Sequence, residues 1–244
     1  MNLKKGLILL ALVSLLTAGN VFAHDKGDLM LHIEPQLIFS FPTIGEPIKE
    51  TDEIYGYYSN AGGIGISFRV RVMYWFSDFL GISAGLGGSG YLDTWEWGYT
   101  REDSYYNKRS KISGDVVFTR GYFTIPLGAN FSLSALAIGA GFSFNILLDK
   151  DATASGFDKE KYDWFYLKDY FGWYFDFGFD RSGRTDAGGG FGMLLRLAGS
   201  LGNDLAGFNL GRNHSEKLPY QDFSISMVFS PAIQLANLPI GGKK

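Results

Sequence analysis

Eight stretches of this chain alternate large apolar residues with small or polar ones at a period of two, the pattern of strands with one greasy face. Residues 29–41 carry Leu31, Ile33, Leu37, Phe39 and Phe41 on one face and His32, Glu34 and Gln36 on the other. Residues 63–76 set Ile64, Ile66, Phe68, Val70 and Val72 against Gly63, Gly65, Ser67, Arg69 and Arg71. The same rhythm recurs over 79–92, 115–127, 133–148, 170–179, 189–201 and 222–230. Each stretch has about the ten residues that a tilted membrane strand needs. The second face is mostly Gly, Ala and Ser, with few Lys or Glu to hold it in water. Small residues with a few charges suit a narrow lumen, and the greasy face suits lipid.

The connections sort into two kinds. Residues 77–78, 128–132 and 180–188 are short, whereas 42–62, 93–114, 149–169 and 202–221 are long. The two kinds alternate, which places every long loop at one end and the short turns and both termini at the other. The expected fold is therefore all-β, an eight-stranded antiparallel up-and-down transmembrane β-barrel with long extracellular loops. A soluble lipocalin-like ligand carrier also has an even strand number and is the alternative; it predicts a sealed apolar interior. Aromatics collect at both rims. Phe39, Phe41, Tyr91, Trp95, Trp164, Phe165, Tyr166, Tyr220 and Phe223 fall on the loop side, and Tyr74, Trp75, Phe76, Phe79, Phe131, Phe179, Phe191 and Phe229 on the turn side. Pro35 interrupts the first strand, so a bulge is expected there.

Ahead of the strands, residues 1–23 have the form of a secretory signal peptide. Lys4 and Lys5 precede an apolar run from Gly6 to Leu16, and Val21 and Ala23 supply small residues for cleavage after Ala23. The run is too short for a membrane-anchoring helix, which needs about 20 residues. Cleavage removes two Lys and leaves 20 basic and 25 acidic residues, a formal charge of −5. The expected organisation is a signal peptide (1–23), a barrel in the bacterial outer membrane (24–230) and a C-terminal tail (231–244).

Composition closes other routes. The absence of Cys removes disulfides, thiolate metal sites and cysteine nucleophiles. The acidic balance gives no electrostatic footprint for nucleic acid. Glycine-rich runs such as 85–90 and 188–192 have no following helix and no Lys, so they are not phosphate loops.

Several segments resemble the small outer-membrane β-barrel domain family, in particular its PorT-like group, and the chain is similar in plan to eight-stranded barrels of the OmpA, OmpX and OmpW type. The segment Gly121-Tyr122-Phe123-Thr124-Ile125-Pro126-Leu127 resembles that group's strand end, and Ala137-Ile138-Gly139-Ala140-Gly141-Phe142-Ser143 its next, glycine-rich strand. Phe175-Asp176-Phe177-Gly178 and Ser224-Ile225-Ser226-Met227-Val228-Phe229 are similar to later strands. The resemblance implies a structural barrel or an adhesin. The chain departs from that pattern at its end, where Phe229 is followed by 15 more residues instead of closing the sequence.

For chemistry, strand parity turns Glu34, Arg69, Arg71, Arg120, Asp176 and Arg196 inward. Charge inside so narrow a barrel is costly unless paired, so these six are expected to form one lumen charge network. The surplus of Arg also admits a second reading, a narrow anion-tolerant pore or small-molecule transport barrel. His32 shares the lumen face with Glu34, but no nucleophile motif accompanies it and the three His have no metal-ligand spacing. No residue is assigned to catalysis, a cofactor or a metal, and the chain is expected not to be an enzyme. The loops offer binding candidates instead: Trp95, Trp97, Tyr99, Tyr105 and Tyr106 in one, Tyr162 and Trp164 in another. Exposed aromatics of this kind form the hot spots of binding surfaces. The expected partners are outer-membrane lipid and a host or envelope protein ligand held by the loops, with the barrel a monomer.

Overall fold

The computed structural model describes residues 24–44, 54–58, 62–103, 108–133, 135–154, 165–181, 189–202, 206–209, 215–218 and 220–238. The signal segment lies outside them. Eight long strands, numbered among fourteen in chain order, make the barrel. They are β1 (Asp28–Ser40), β4 (Gly62–Trp75), β5 (Leu80–Asp103), β6 (Lys108–Leu133), β7 (Leu136–Ala154), β9 (Tyr170–Asp180), β10 (Gly189–Ser200) and β14 (Phe223–Asn237). Every neighbouring pair is antiparallel, in the order β5-β4-β1-β14-β10-β9-β7-β6, and β6 returns to β5 to close the sheet. Closure removes the free sheet edges that would otherwise need covering.

The two faces of this wall settle its surroundings. Ile66 is 71% exposed, Phe142 61% and Leu127 57%, while their sequence neighbours Ser67, Gly128 and Gly141 belong to the inward series. Exposed Phe, Leu and Ile cover the outside, and the buried set is dominated by Arg, Asp, Glu, Ser and Asn. A soluble carrier would have these faces exchanged. A closed barrel with an apolar exterior and a polar interior is a membrane-spanning outer-membrane barrel. Phe39, Phe41, Phe76, Phe79, Phe179, Phe191 and Phe229 are on the exterior as the rim pattern predicts. Trp75 and Tyr91 are not: both turn into the lumen and are buried, because they follow the parity of Arg71 and Arg69 rather than that of the greasy face.

Bulky lumen residues sit opposite glycine. Arg71 pairs with Gly85, Arg69 with Gly87 and Trp75 with Gly81 across the β4–β5 ladder, while Asp176 pairs with Gly139 and Tyr174 with Gly141 across β7–β9. A Cβ at Gly85 would come within 3.1 Å of the Arg71 Cα, and one at Gly141 would meet the backbone oxygen of Leu127 and the Tyr174 ring. The glycine richness of one lumen wall is what makes room for the long side chains of the other.

Several boundaries differ from those expected. Pro35 carries no bulge: its register with β4 is unbroken, and pairing with β14 simply lapses between His32 and Gln36 and resumes in the same register. Pro231 lies opposite that gap, so both residues lacking an N–H fall where the ladder has no bonds to lose. Pro126 does the same at a gap between β5 and β6. The β6–β7 turn is tighter than residues 128–132, because Gly128 to Leu133 stay in β6 and pair as far as Leu133 with Leu136. The last strand does not stop at Ser230 but continues to Asn237, so residues 231–237 are barrel wall and not tail.

The largest difference is above the membrane. Residues 93–114, expected as a loop, are largely the outer halves of β5 and β6, paired without a break from Thr94 with Val117 to Asp103 with Lys108. The short strand β3 (Ile54–Tyr58) adds to the outer part of β5. The remaining short strands are β2 (Thr43–Ile44), which pairs with β13 (Tyr220–Gln221), and β8 (Phe165–Leu167), β11 (Ala206–Asn209) and β12 (Ser215–Leu218), which form a small sheet.

Candidate functional site: the ionic lumen and the raised hairpin

The six lumen charges do not meet in one place. Four of them do. Glu34 on β1, Arg71 on β4, Asp176 on β9 and Arg196 on β10 form a cluster in mid-barrel, each at most 1% exposed. Arg71 Nη2 lies 2.5 Å from Glu34 Oε1, and Arg71 Nη1 donates to Asp176 Oδ2 at 3.4 Å. Arg196 donates to both oxygens of Asp176, from Nε at 2.6 Å and from Nη2 at 2.7 Å, and lies 3.3 Å from Glu34 Oε2. The bidentate fork is the geometry in which a guanidinium holds a carboxylate best. Four steps around the wall separate β4 from β9, half of the circuit, so the Arg71–Asp176 pair crosses the barrel's diameter.

Arg120 belongs to a second cluster nearer the loop end. Its Nε donates to Asp93 Oδ2 at 2.9 Å, and its Nη1 and Nη2 donate to the two oxygens of Asp222, each at 2.9 Å. Ser40 accepts a further bond at 3.1 Å, and the Tyr170 hydroxyl donates to Asp222 at 3.1 Å. The guanidinium lies over the Tyr91 ring, 4.3 Å from its centre, a cation–π contact. Arg120 on β6 and Asp222 just before β14 also stand four steps apart, so this bridge too crosses the lumen. The carboxylates Asp93 and Asp222 were not among the expected charges, and the hydroxyls of Ser40 and Tyr170 were not among the expected partners. The signal for Asp93 was its spacing of two from Tyr91, and for Asp222 its spacing of two from Ser224; both lie at segment ends, where parity is weakest. Arg69, the sixth expected residue, stands between the clusters and joins neither.

The turn end is closed differently. His24 stacks on Trp75 with ring centres 3.9 Å apart, and Met30, Met73, Trp75 and Ala232 form an apolar cluster beside it. His32 Nδ1 is 2.8 Å from the Ser230 Oγ. Ser230 is 1% exposed, so this pair is a tie in the lumen floor rather than a nucleophile open to substrate. Among the described residues, no group of three or more His, Asp or Glu side chains is placed to hold a metal ion.

Of the binding candidates, Trp95, Trp97 and Tyr99 lie on the outer half of β5, in register with Val116, Gly114 and Ile112 of β6. Tyr105, Tyr106, Tyr162 and Trp164 lie outside the described residues. Lower on the same two strands is a groove in the outer wall, where Gly90 of β5 pairs with Gly121 of β6. An added Cβ at Gly90 would meet nothing within 4 Å. The β6–β7 ladder slips by one residue between Gly121 and Tyr122, which leaves Leu148 as the extra residue of a bulge beside this groove.

Eight-stranded outer-membrane barrels are the class that this fold defines. No protein-family model matches the chain, and no curated protein matches its sequence. Among solved structures it is similar to the outer membrane protein OprG from Pseudomonas aeruginosa, with 12% identity over 88% of this chain and 100% of that one and a TM-score of 0.47. It is also similar to the outer membrane protein AlkL as determined in lipid bilayers, with 14% identity over 93% and 97% and a TM-score of 0.47. A third similarity is to the outer membrane protease OmpT from Escherichia coli, with 8% identity over 89% and 99% and a TM-score of 0.42.

Proposed function

We infer that this chain is a plugged, non-enzymatic barrel whose task is to hold a raised β-hairpin above the outer membrane as a surface-binding element. The observation that carries this reading is the contrast within β5 and β6. These strands have 24 and 26 residues, whereas about 9–11 suffice to cross a bilayer at a tilt. At roughly 3.4 Å per residue each runs to about 80–90 Å, far more than an apolar belt of ~25 Å requires. Meanwhile two ionic bridges cross the lumen, and a lumen blocked by buried ion pairs gives an ion no continuous water path. The aromatic series Trp95, Trp97 and Tyr99 at every second position gives the hairpin the residue types that dominate binding hot spots. A host or envelope protein is the partner that such a surface fits, and a PorT-like relationship, carried only by the short motifs of the strands, agrees with that role.

The direct test displays the intact protein on cells and compares it with a version in which residues 95–116 are replaced by a short Gly-Ser turn. Binding to candidate surfaces should fall to background while the barrel still inserts. Undiminished binding together with an unchanged cell phenotype would sink the reading.

A transport reading is the second, and the outer-wall groove at Gly90 and Gly121 favours it over an aqueous pore. The groove is lined mainly by apolar residues and glycine, Ile64, Ile66 and Leu92 among them, with Arg120 and Asp149 on its polar side, which suits a small, largely apolar solute better than an ion. Uptake of such a solute into vesicles, lost on Gly90→Leu, would support it. Stable anion-selective conductance in planar bilayers would instead show that the ionic bridges open.

A further inference from the structure

The charges of the lumen balance, but not within each cluster. Arg71 and Arg196 answer Glu34 and Asp176 two against two. In the cluster nearer the loop end Arg120 faces two carboxylates, Asp93 and Asp222. Arg69, on β4 two residues from Arg71, supplies the fourth guanidinium and is 7% exposed. It has no ion pair or hydrogen bond among the described residues, and its Nε is buried without a partner. One cation and one surplus carboxylate are therefore held in the same narrow lumen without a direct bond, and each keeps a desolvation penalty that pairing would offset.

Both border one cavity. Arg69 and Asp222 line it, and so do Arg196, Ser143, Asn145 and Ser226. Arg196 Nη1 is a second buried donor without a hydrogen-bond partner. The cavity offers about 20 Å³ for the centres of water-sized particles. One water needs ~10–15 Å³ on that measure and two to four polar partners, so the site has room for a single water and enough groups to bond it. An anion would stand against the Asp222 carboxylate, and a cation against two guanidinium groups. A water does what neither ion can: it accepts from a guanidinium N–H and donates to a carboxylate.

We propose that one ordered water in this cavity bridges the Arg69 guanidinium to the Asp222 carboxylate, with Arg196 as a further donor. The water joins the two clusters into a single network of four guanidinium groups and four carboxylates, reaching from mid-barrel to the loop end. Strand parity pointed to one network, and its missing link is then solvent rather than a side chain. Arg69 holds that water against Asp222 and so steadies the Arg120 bridge. The site lies inside the barrel and does not depend on what the hairpin binds.

The test is a crystal structure of the mature protein, grown with bromide as the principal anion and at a resolution that shows ordered water. The expected result is a density peak in the cavity within hydrogen-bond distance of both Arg69 and Asp222, with no anomalous signal from bromide. An empty cavity, a peak that does not reach both groups, or an anomalous bromide peak overturns the proposal. In solution, urea unfolding in detergent micelles is followed for Arg69→Gln, Asp222→Asn and the double variant. The two changes should be coupled by about 2-fold or more in the unfolding constant, as members of one network are. Asp93→Asn is the control, because Asp93 belongs to the same cluster as Asp222 but does not line the cavity. No coupling to Asp222, or coupling to Asp93 of the same size, overturns the bridge, since plain charge attraction would act on both carboxylates. Should the variants fail to fold, the crystal structure of the wild type decides alone.

Discussion

Leucine in place of Arg71 would leave the carboxylates of Glu34 and Asp176 short of one partner inside the wall, with only Arg196 to serve both. Breaking a buried pair from one side costs about 3–5 kcal/mol, because the stranded charge keeps its desolvation penalty. Urea unfolding in micelles should show a loss of that size for Arg71→Leu; a change within error would mean that the cluster is wet. Glycines make a second, sharper contrast. A Cβ at Gly87 would meet the Phe68 backbone oxygen and come within 2.6 Å of Arg69 Cγ, whereas one at Gly90 meets nothing. Gly87→Ala should therefore cost about 1–3 kcal/mol through overpacking. Gly90→Ala should stay within ~0.5 kcal/mol, as surface substitutions usually do. Equal costs in the same unfolding assay would contradict the inward and outward assignments. Parity alone told which charges face inward. It did not tell which touch, because Arg71 reaches Asp176 across the whole diameter and Arg120 reaches Asp222, and such distances depend on the order of strands around the ring.

At the scale of elements, the parts that cross the membrane were readable because lipid on one side and a narrow lumen on the other force a strict alternation. The observed β1, β4, β9 and β10 begin and end within a residue or so of the alternating segments. Above the membrane that force disappears. Residues 93–114 read as a loop because the charged residues along them break the apolar-and-small alternation of the membrane segments, although Trp95, Trp97 and Tyr99 keep the every-second-position spacing of one strand face. The unbroken ladder from Thr94 with Val117 to Asp103 with Lys108 makes a definite prediction. Removing residues 95–116 and joining the ends by a short turn should leave the lower ladder, from Leu80 with Phe131 upward, intact. The shortened barrel should still migrate in the compact, heat-modifiable form on gels. If it does not, the outer hairpin is part of the folding unit and not an appendage to it.

Over the whole molecule, closure is the property that no single strand explains. The ring closes between the first strand and the last, and that seam is bonded at both ends with a gap at Pro35 and Pro231 between them. Sequence placed the end of the barrel at Ser230, where the clear alternation of Phe223, Ile225, Met227 and Phe229 ends. The structure passes through Pro231 instead. Beyond it, five of the ten described β1–β14 pairs are made by Ala232, Ile233, Gln234, Ala236 and Asn237. Gln234 and Asn237 also donate to Asp28 Oδ1, at 2.6 and 3.0 Å, and the Leu238 N–H donates to the Gly27 carbonyl at 2.6 Å. Gly27 has φ of 98°, a left-handed turn that brings the chain to this seam and that residues with a side chain seldom adopt. Truncation after Ser230 removes every one of these bonds and leaves the turn-side half of β1 as an open edge inside the membrane, where an unpaired backbone group costs several kcal/mol. If residues 231–244 were a tail, the truncated chain would refold into lipid vesicles as well as the full one. The seam predicts the opposite: a large drop in the heat-modifiable fraction, with truncation after Leu238 harmless by the same measure.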